Sequence, residues 1–130
     1  EDLDTAITRN DRDPAQGSYA IMVKATGEAD SDLRNLSANQ LRQQNHQGIT
    51  LLERLLLELA YWLTTIEHLD SSTITLCSGS RFGDGDVPGV YWYVVDRELR
   101  VCWGYPGYRD DDLRSRSAVS LLVKSSGAPT

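Results

Sequence analysis

A chain of 130 residues is long enough to bury a core without metal or disulfide support, and 40% apolar with 25% charged residues is ordinary for one globular domain. A net charge of −6 excludes a general binder of nucleic acid or anionic membrane, because both need a basic excess to displace counterions or approach acidic lipid. Two cysteines, Cys77 and Cys102, are too few for a secreted disulfide scaffold and lack metal-ligand spacing; buried free thiols are expected ahead of a bridge.

The arginines at 97, 100, 109, 114 and 116 form a local cluster, offset by Asp96, Glu98 and Asp110 to Asp112. No apolar run is long enough to span a bilayer, and no basic-then-apolar leader opens the chain. With Glu1 first and Met22 the only methionine, a processed chain or a domain cut from a longer protein is expected, cytoplasmic in preference to cell-surface.

Residues 1–17 are polar and acidic and read as a flexible arm or linker end; the domain proper is expected over 18–124, with a loose tail at 125–130. Ser18–Lys24 suits a short strand. Ser37 and Gln40 have capping-box spacing, which predicts a short helix running to about Gln47. The clearest periodicity is Ile49–Leu69. Ile49, Leu52, Leu56, Leu59, Leu63 and Ile66 recur at intervals of three and four, a stripe expected to dock on a sheet in preference to a coiled-coil partner. Arg54 and Glu58 are an i,i+4 pair expected to be solvated.

After Asp70 the pattern changes to strands. Ser72–Cys77 is followed by a glycine-rich loop, Ser78–Gly89, and then by two β-branched and aromatic runs, Val90–Val95 and Leu99–Trp103. Asp96-Arg97-Glu98 between them suits a hairpin with a three-residue connection. A second loop covers 104–112, and Ala118–Val123 is a last strand with Val119, Leu121 and Val123 on one face and Ser120, Leu122 and Lys124 on the other. Helices come early and strands late, which predicts an α+β domain.

Chemical motifs are sparse. His46 and His68 are separated by the long helix and have no neighbouring cysteine pair for zinc; the helix dipole accounts for His68 near a C-terminus. No G-x-S-x-G elbow is present, since Cys77-Ser78-Gly79-Ser80-Arg81 breaks that pattern. Gly83-Asp84-Gly85-Asp86 lacks the further ligands of an EF-hand and the lysine of a phosphate loop, so a structural turn is expected, and Asp110–Asp112 reads as a solvated loop tip. No cofactor is implied. Tyr91, Trp92, Tyr93, Trp103, Tyr105 and Tyr108, by contrast, fall within eighteen residues among arginine, aspartate and glycine. Trp92 and Trp103 are expected at matching places on the two strands, facing inward, which turns Tyr91 and Tyr93 the other way. So many aromatics exceed what one small core needs and suit a recognition surface.

Residues 77–119, CSGSRFGDGDVPGVYWYVVDRELRVCWGYPGYRDDDLRSRSAV, about a third of the chain, resemble the C-terminal part of diversity-generating retroelement variable proteins. That family shares a C-type-lectin-like fold with formylglycine-generating enzymes, and a reverse transcriptase diversifies it by changing template adenines. The resemblance implies early helices packed on a small antiparallel sheet with a C-terminal variable hairpin and loop. Trp92, Trp103, Pro106, Leu113, Arg114, Ser115 and Arg116 match constant scaffold. Tyr91, Tyr93, Val94, Arg100, Cys102, Gly104, Tyr105, Gly107, Tyr108 and Asp111 can each arise from an asparagine codon by adenine changes alone, and the segment holds no asparagine. The ending Leu113-Arg114-Ser115-Arg116 departs from the G-F-R string of many relatives. With Arg109, the variable positions form the expected ligand-binding set, the tyrosines supplying area and Arg100, Arg109 and Asp111 charge selectivity. The partner implied is a protein or other macromolecule, and the chain is expected to bind without catalysing. Two alternatives stand beside this: a fixed interaction or regulatory domain using helix 49–69 as partner surface, and a small hydrolase or formylglycine-type oxidase using Cys77 or Cys102.

Overall fold

A computed structural model describes residues 2–121. The fold is α+β, and its centre is a four-stranded sheet in the order β6-β5-β3-β7. These strands are β3 (Ile74–Leu76), β5 (Val87–Tyr93), β6 (Glu98–Gly104) and β7 (Leu113–Ser115). The expected antiparallel sheet is in fact mixed: β3 runs antiparallel to β5 but parallel to β7, pairing Thr75 with Arg114. The loop after β6 carries the chain round to enter β7 in the same direction as β3.

Side-chain alternation gives this sheet two buried faces. On one, Ile49, Leu51, Cys77 and Val90 form a core that the helix α3 (Leu51–Thr65) covers. On the other, Leu76, Val87 and Leu113 pack with Leu33, Ala38 and Leu41, the last two from the helix α2 (Ala38–Gln43). Both helices open on a complete capping box. Ser37 Oγ accepts from Gln40 N while Gln40 Oε1 accepts from Ser37 N, and Thr50 and Glu53 exchange the same pair of bonds.

The amino-terminal segment is not the arm its composition suggests. A one-turn helix α1 (Leu3–Ala6) leads into β1 (Ile7–Asn10), which pairs antiparallel with β4 (Ser80–Phe82) inside the glycine-rich segment expected as loop. Arg12 then reaches across to α3, donating from Nε and Nη2 to both oxygens of Glu53 at 2.8 Å and from Nη2 to Gly48 O at 2.7 Å. Farther on, β2 (Ala20–Met22) pairs with β8 (Val119–Leu121). Val119 and Leu121 share a face as alternation requires, but that face is exposed; Leu122, Val123, Lys124 and the tail expected at 125–130 lie outside the described residues.

The largest departure concerns α3. Of the stripe expected to dock on the sheet, Ile49 lies in the core but the rest faces away. Leu52, Leu56, Leu59, Leu63 and Ile66 are all exposed, while Arg54 is fully buried and Glu58 nearly so. The ion pair expected in solvent therefore lies inside, and a charge network explains why. Asp70, also fully buried, accepts from Arg54 Nε and Nη2 at 3.2 and 3.1 Å on one oxygen and from Arg116 Nη2 at 3.0 Å on the other. Ala29 N, Thr73 Oγ1 and Thr75 Oγ1 donate to the same carboxylate, and Arg54 Nη1 donates to Glu58 at 3.1 Å. Two guanidinium cations thus meet two carboxylates with their donors largely satisfied, the condition under which buried charge is tolerated. Periodicity identifies an apolar stripe but cannot show that the opposite stripe has buried partners waiting sixteen and sixty-two residues downstream.

Candidate ligand-binding face

The hairpin β5–β6 is the longest continuous pairing in the molecule, and its register sorts the aromatic segment by face. Tyr91 lies opposite Arg100, Tyr93 opposite Glu98, and Gly89 opposite Cys102; Val90 opposite Val101 and Trp92 opposite Leu99 point to the other side. Val90 and Val101 belong to the core under α3, so Trp92 faces the helix. Trp92 stacks on His68 at a centroid separation of 3.4 Å, and Trp62 of α3 closes the stack from the far side at 4.7 Å. His68 Nδ1 lies 3.0 Å from Glu58 Oε2, which ties the stack to the buried network. The position of His68 near a helix end was readable from the sequence. Its place between two indoles was not, because Trp62 and Trp92 are thirty residues apart.

Tyr91, Tyr93, Arg100, Cys102 and Gly104 consequently share the face turned away from α3. Arg100 lies over the Tyr93 ring, its guanidinium carbon 3.9 Å from the centroid, and donates to Glu98 at 2.6 Å and Asp96 at 2.7 Å. The hydrogen bond that Arg100 gives to Glu98, and then the nearby Tyr91, hold the guanidinium above its usual value. Tyr91 and Tyr93 meet edge to face at 6.4 Å. The connection is 94–97, one residue longer than expected, with Arg97 at φ 52° and Val94 and Val95 exposed at the tip.

Loop 105–112 continues this face. Tyr105 and Tyr108 form an edge-to-face pair at 5.7 Å, and Tyr108 N donates to Tyr105 O at 3.0 Å. A Cβ on Gly104 would meet the Tyr108 ring at 3.5 Å and one on Gly107 the Tyr105 ring at the same distance, ordinary contacts that leave both positions open to a side chain. Tyr108 Oη donates to Asp110 at 3.3 Å, and the Asp110 charge raises the phenol above its ordinary value. The loop is held from outside itself. Asn39 N, at the start of α2, donates to Pro106 O, and Ile74 N in β3 donates to Asp112 O. Arg109 and Asp111 are exposed beside the tyrosines, and Asp110 Oδ1 caps its own turn through Asp112 N.

All eleven sequence-selected residues thus lie on one side of the hairpin, at its tip or on the adjoining loop. One scaffold residue is displaced. Trp103 is opposite Pro88, not matched with Trp92, and is two-thirds exposed, meeting Phe82 edge-on at 6.4 Å. It sits near the end of the outermost strand of the sheet. With Thr5, Thr8, Asp84 and Asp86 it borders a shallow cleft of about 440 Å³ that is not legible in the sequence, because the composition of residues 1–17 reads as an arm.

Both cysteines are free. Burial pushes each thiol up, Cys77 far above its ordinary range, and Cys77 donates weakly to Thr75 O at 3.8 Å. Gly83-Asp84-Gly85-Asp86 is the turn between β4 and β5, with Gly85 at φ 91° and Asp84 accepting from Asp86 N. Among the described residues, no three His, Cys, Asp or Glu side chains converge to hold a metal ion, and no helix is long and apolar enough to cross a membrane. Comparison with protein-family models, curated proteins and solved structures finds no match.

Proposed function

We propose that this chain is the ligand-binding domain of a retroelement-diversified variable protein with a C-type-lectin-like scaffold, and that it binds without catalysing. The observation that carries the reading is the sorting of residues 87–116. Of the positions assigned as variable, Tyr91, Tyr93, Val94, Arg100, Tyr105, Tyr108, Arg109 and Asp111 point away from the core or sit on the loops, with Cys102 half-buried against Gly89, whereas Trp92, Leu113, Ser115 and Arg116 point inward. A surface that must accept many side chains needs its backbone fixed by contacts elsewhere, and α2, β3 and the buried network supply them. Early helices flanking a small sheet with an exposed late hairpin support the lectin-like architecture.

Tyr91, Tyr93, Tyr105 and Tyr108 give stiff contact area at small entropic cost. Arg100, Arg109 and Asp111 add charge of both signs, which suits a folded protein surface as partner. An oxidase or hydrolase reading has little support, because a nucleophilic cysteine needs an accessible thiolate and both thiols are raised by burial.

The test is genomic. DNA flanking the gene should contain a near-copy of the stretch encoding residues 88–116, differing almost only at adenines and lying beside a reverse-transcriptase gene. Absence of such a copy from the whole genome would remove the diversification and leave a fixed interaction domain.

A further inference from the structure

The outer face of α3 is an apolar surface that neither the core nor the aromatic face uses. Its exposed members, Leu52, Leu56, Leu59, Leu63 and Ile66, follow intervals of four, three, four and three, the spacing of a coiled-coil seam. With the flanking Trp62 they present on the order of 600 Å² of apolar surface, near the ~800 Å² that each partner contributes to a stable interface. Ile66 is the sharpest sign. It ends α3 at φ 57°, a conformation that suits glycine and strains a β-branched residue, and its side chain is 66% exposed. An isoleucine there costs the monomer stability and returns nothing to its core.

We propose that a second copy of this chain docks on this face, helix against helix and antiparallel. The spacing calls for a helical occupant, and the stripe is self-complementary. In the antiparallel register Leu56 meets Leu59 of the other copy and Leu52 meets Leu63, in layers related by a twofold axis. The seam carries no charged residue, so the two net charges of −6 are kept off the contact. Glu67, just beyond the helix, would reach the positive amino-terminal end of the opposing helix, whereas a parallel pairing would set the two Glu67 carboxylates together. Because α3 and the aromatic face lie on opposite sides of the central sheet, such a dimer leaves both aromatic faces free.

Sedimentation equilibrium of the 130-residue chain from ~1 to ~100 μM tests this. A dimer is expected, and Leu59→Glu, which introduces a charge at an exposed position, should weaken it at least ~100-fold while the circular dichroism spectrum holds and the melting temperature loses its dependence on protein concentration. Leu59→Gln is the milder variant should the glutamate disturb folding, and it should weaken the dimer in the same direction. Glu67→Gln should loosen the dimer slightly; a tighter dimer would overturn the antiparallel arrangement. A monomer at every concentration, or a dimer indifferent to both Leu59 variants, would overturn the proposal.

Discussion

At the scale of single residues, the aromatic face is built from side chains that touch each other more than they touch the core. Tyr105 and Tyr108 are exposed and packed as a pair over Gly107 and Gly104. Replacing both by alanine should therefore change unfolding free energy by no more than about 0.5 kcal/mol while removing binding to the cognate ligand, measured by urea titration and calorimetry. A loss of several kcal/mol would place those rings in the core. Gly89 makes the opposite prediction. A Cβ there would come within 2.9 Å of Cys102 Sγ and 3.0 Å of Ile74 Cγ2. Gly89→Ala should cost about 1–3 kcal/mol by overpacking, and Cys102→Ala in the same chain should recover part of that loss. A double variant no more stable than Gly89→Ala alone would show that Cys102 is not the obstacle.

Among the elements, α3 shows what sequence patterns do and do not reveal. Both capping boxes follow from local chemistry over three residues; that of α2 was legible as Ser37 and Gln40. The hairpin was legible too, since alternation correctly turned Tyr91 and Tyr93 away from Trp92. The face that α3 buries was not legible, because the energy that buries Arg54 comes from Asp70 and Arg116, and no local pattern connects them. The same holds for Arg12, whose bond to Glu53 turns an acidic, polar stretch into an ordered one. Asp70→Asn should expose how much rests on that network. Removing the charge leaves Arg54 and Arg116 buried beside a neutral amide, a loss of about 3–5 kcal/mol by chemical denaturation. An effect below about 1 kcal/mol would mean the network is dispensable.

Glu53 adds a pH dependence at the same scale. Burial raises its carboxyl pKa, but the Arg12 fork and the Thr50 amide more than compensate, so its value is held below the ordinary carboxylate range. A folded-state pKa lowered in this way contributes stability that is fully present above about pH 4.3 and is lost as the pH falls through that value and toward the lower folded one. The urea midpoint should fall on acidification, and Glu53→Gln should lower it at neutral pH while flattening this part of the acid limb. An unchanged acid limb would assign the dependence to other carboxylates.

For the whole molecule, the arrangement is three layers. The central sheet carries α3 on one face and, on the other, α2 beside the aromatic surface. The buried network joins α3 to β3 and to Arg116, so the hairpin rises from the most constrained part of the chain. If two copies join through α3, the two aromatic faces can engage a multivalent ligand together, and affinity would gain from effective concentration without any new contact.

The central claim is that residues 87–116 divide into a free surface and a fixed scaffold. The most direct measurement is a saturation library over those positions, displayed on yeast and sorted for folded protein by protease resistance. Broad tolerance is expected at Tyr91, Tyr93, Val94, Arg100, Tyr105, Tyr108, Arg109 and Asp111, with Trp92, Leu113, Ser115 and Arg116 intolerant. Equal intolerance in the two groups, or a tolerant scaffold beneath a constrained surface, would contradict it.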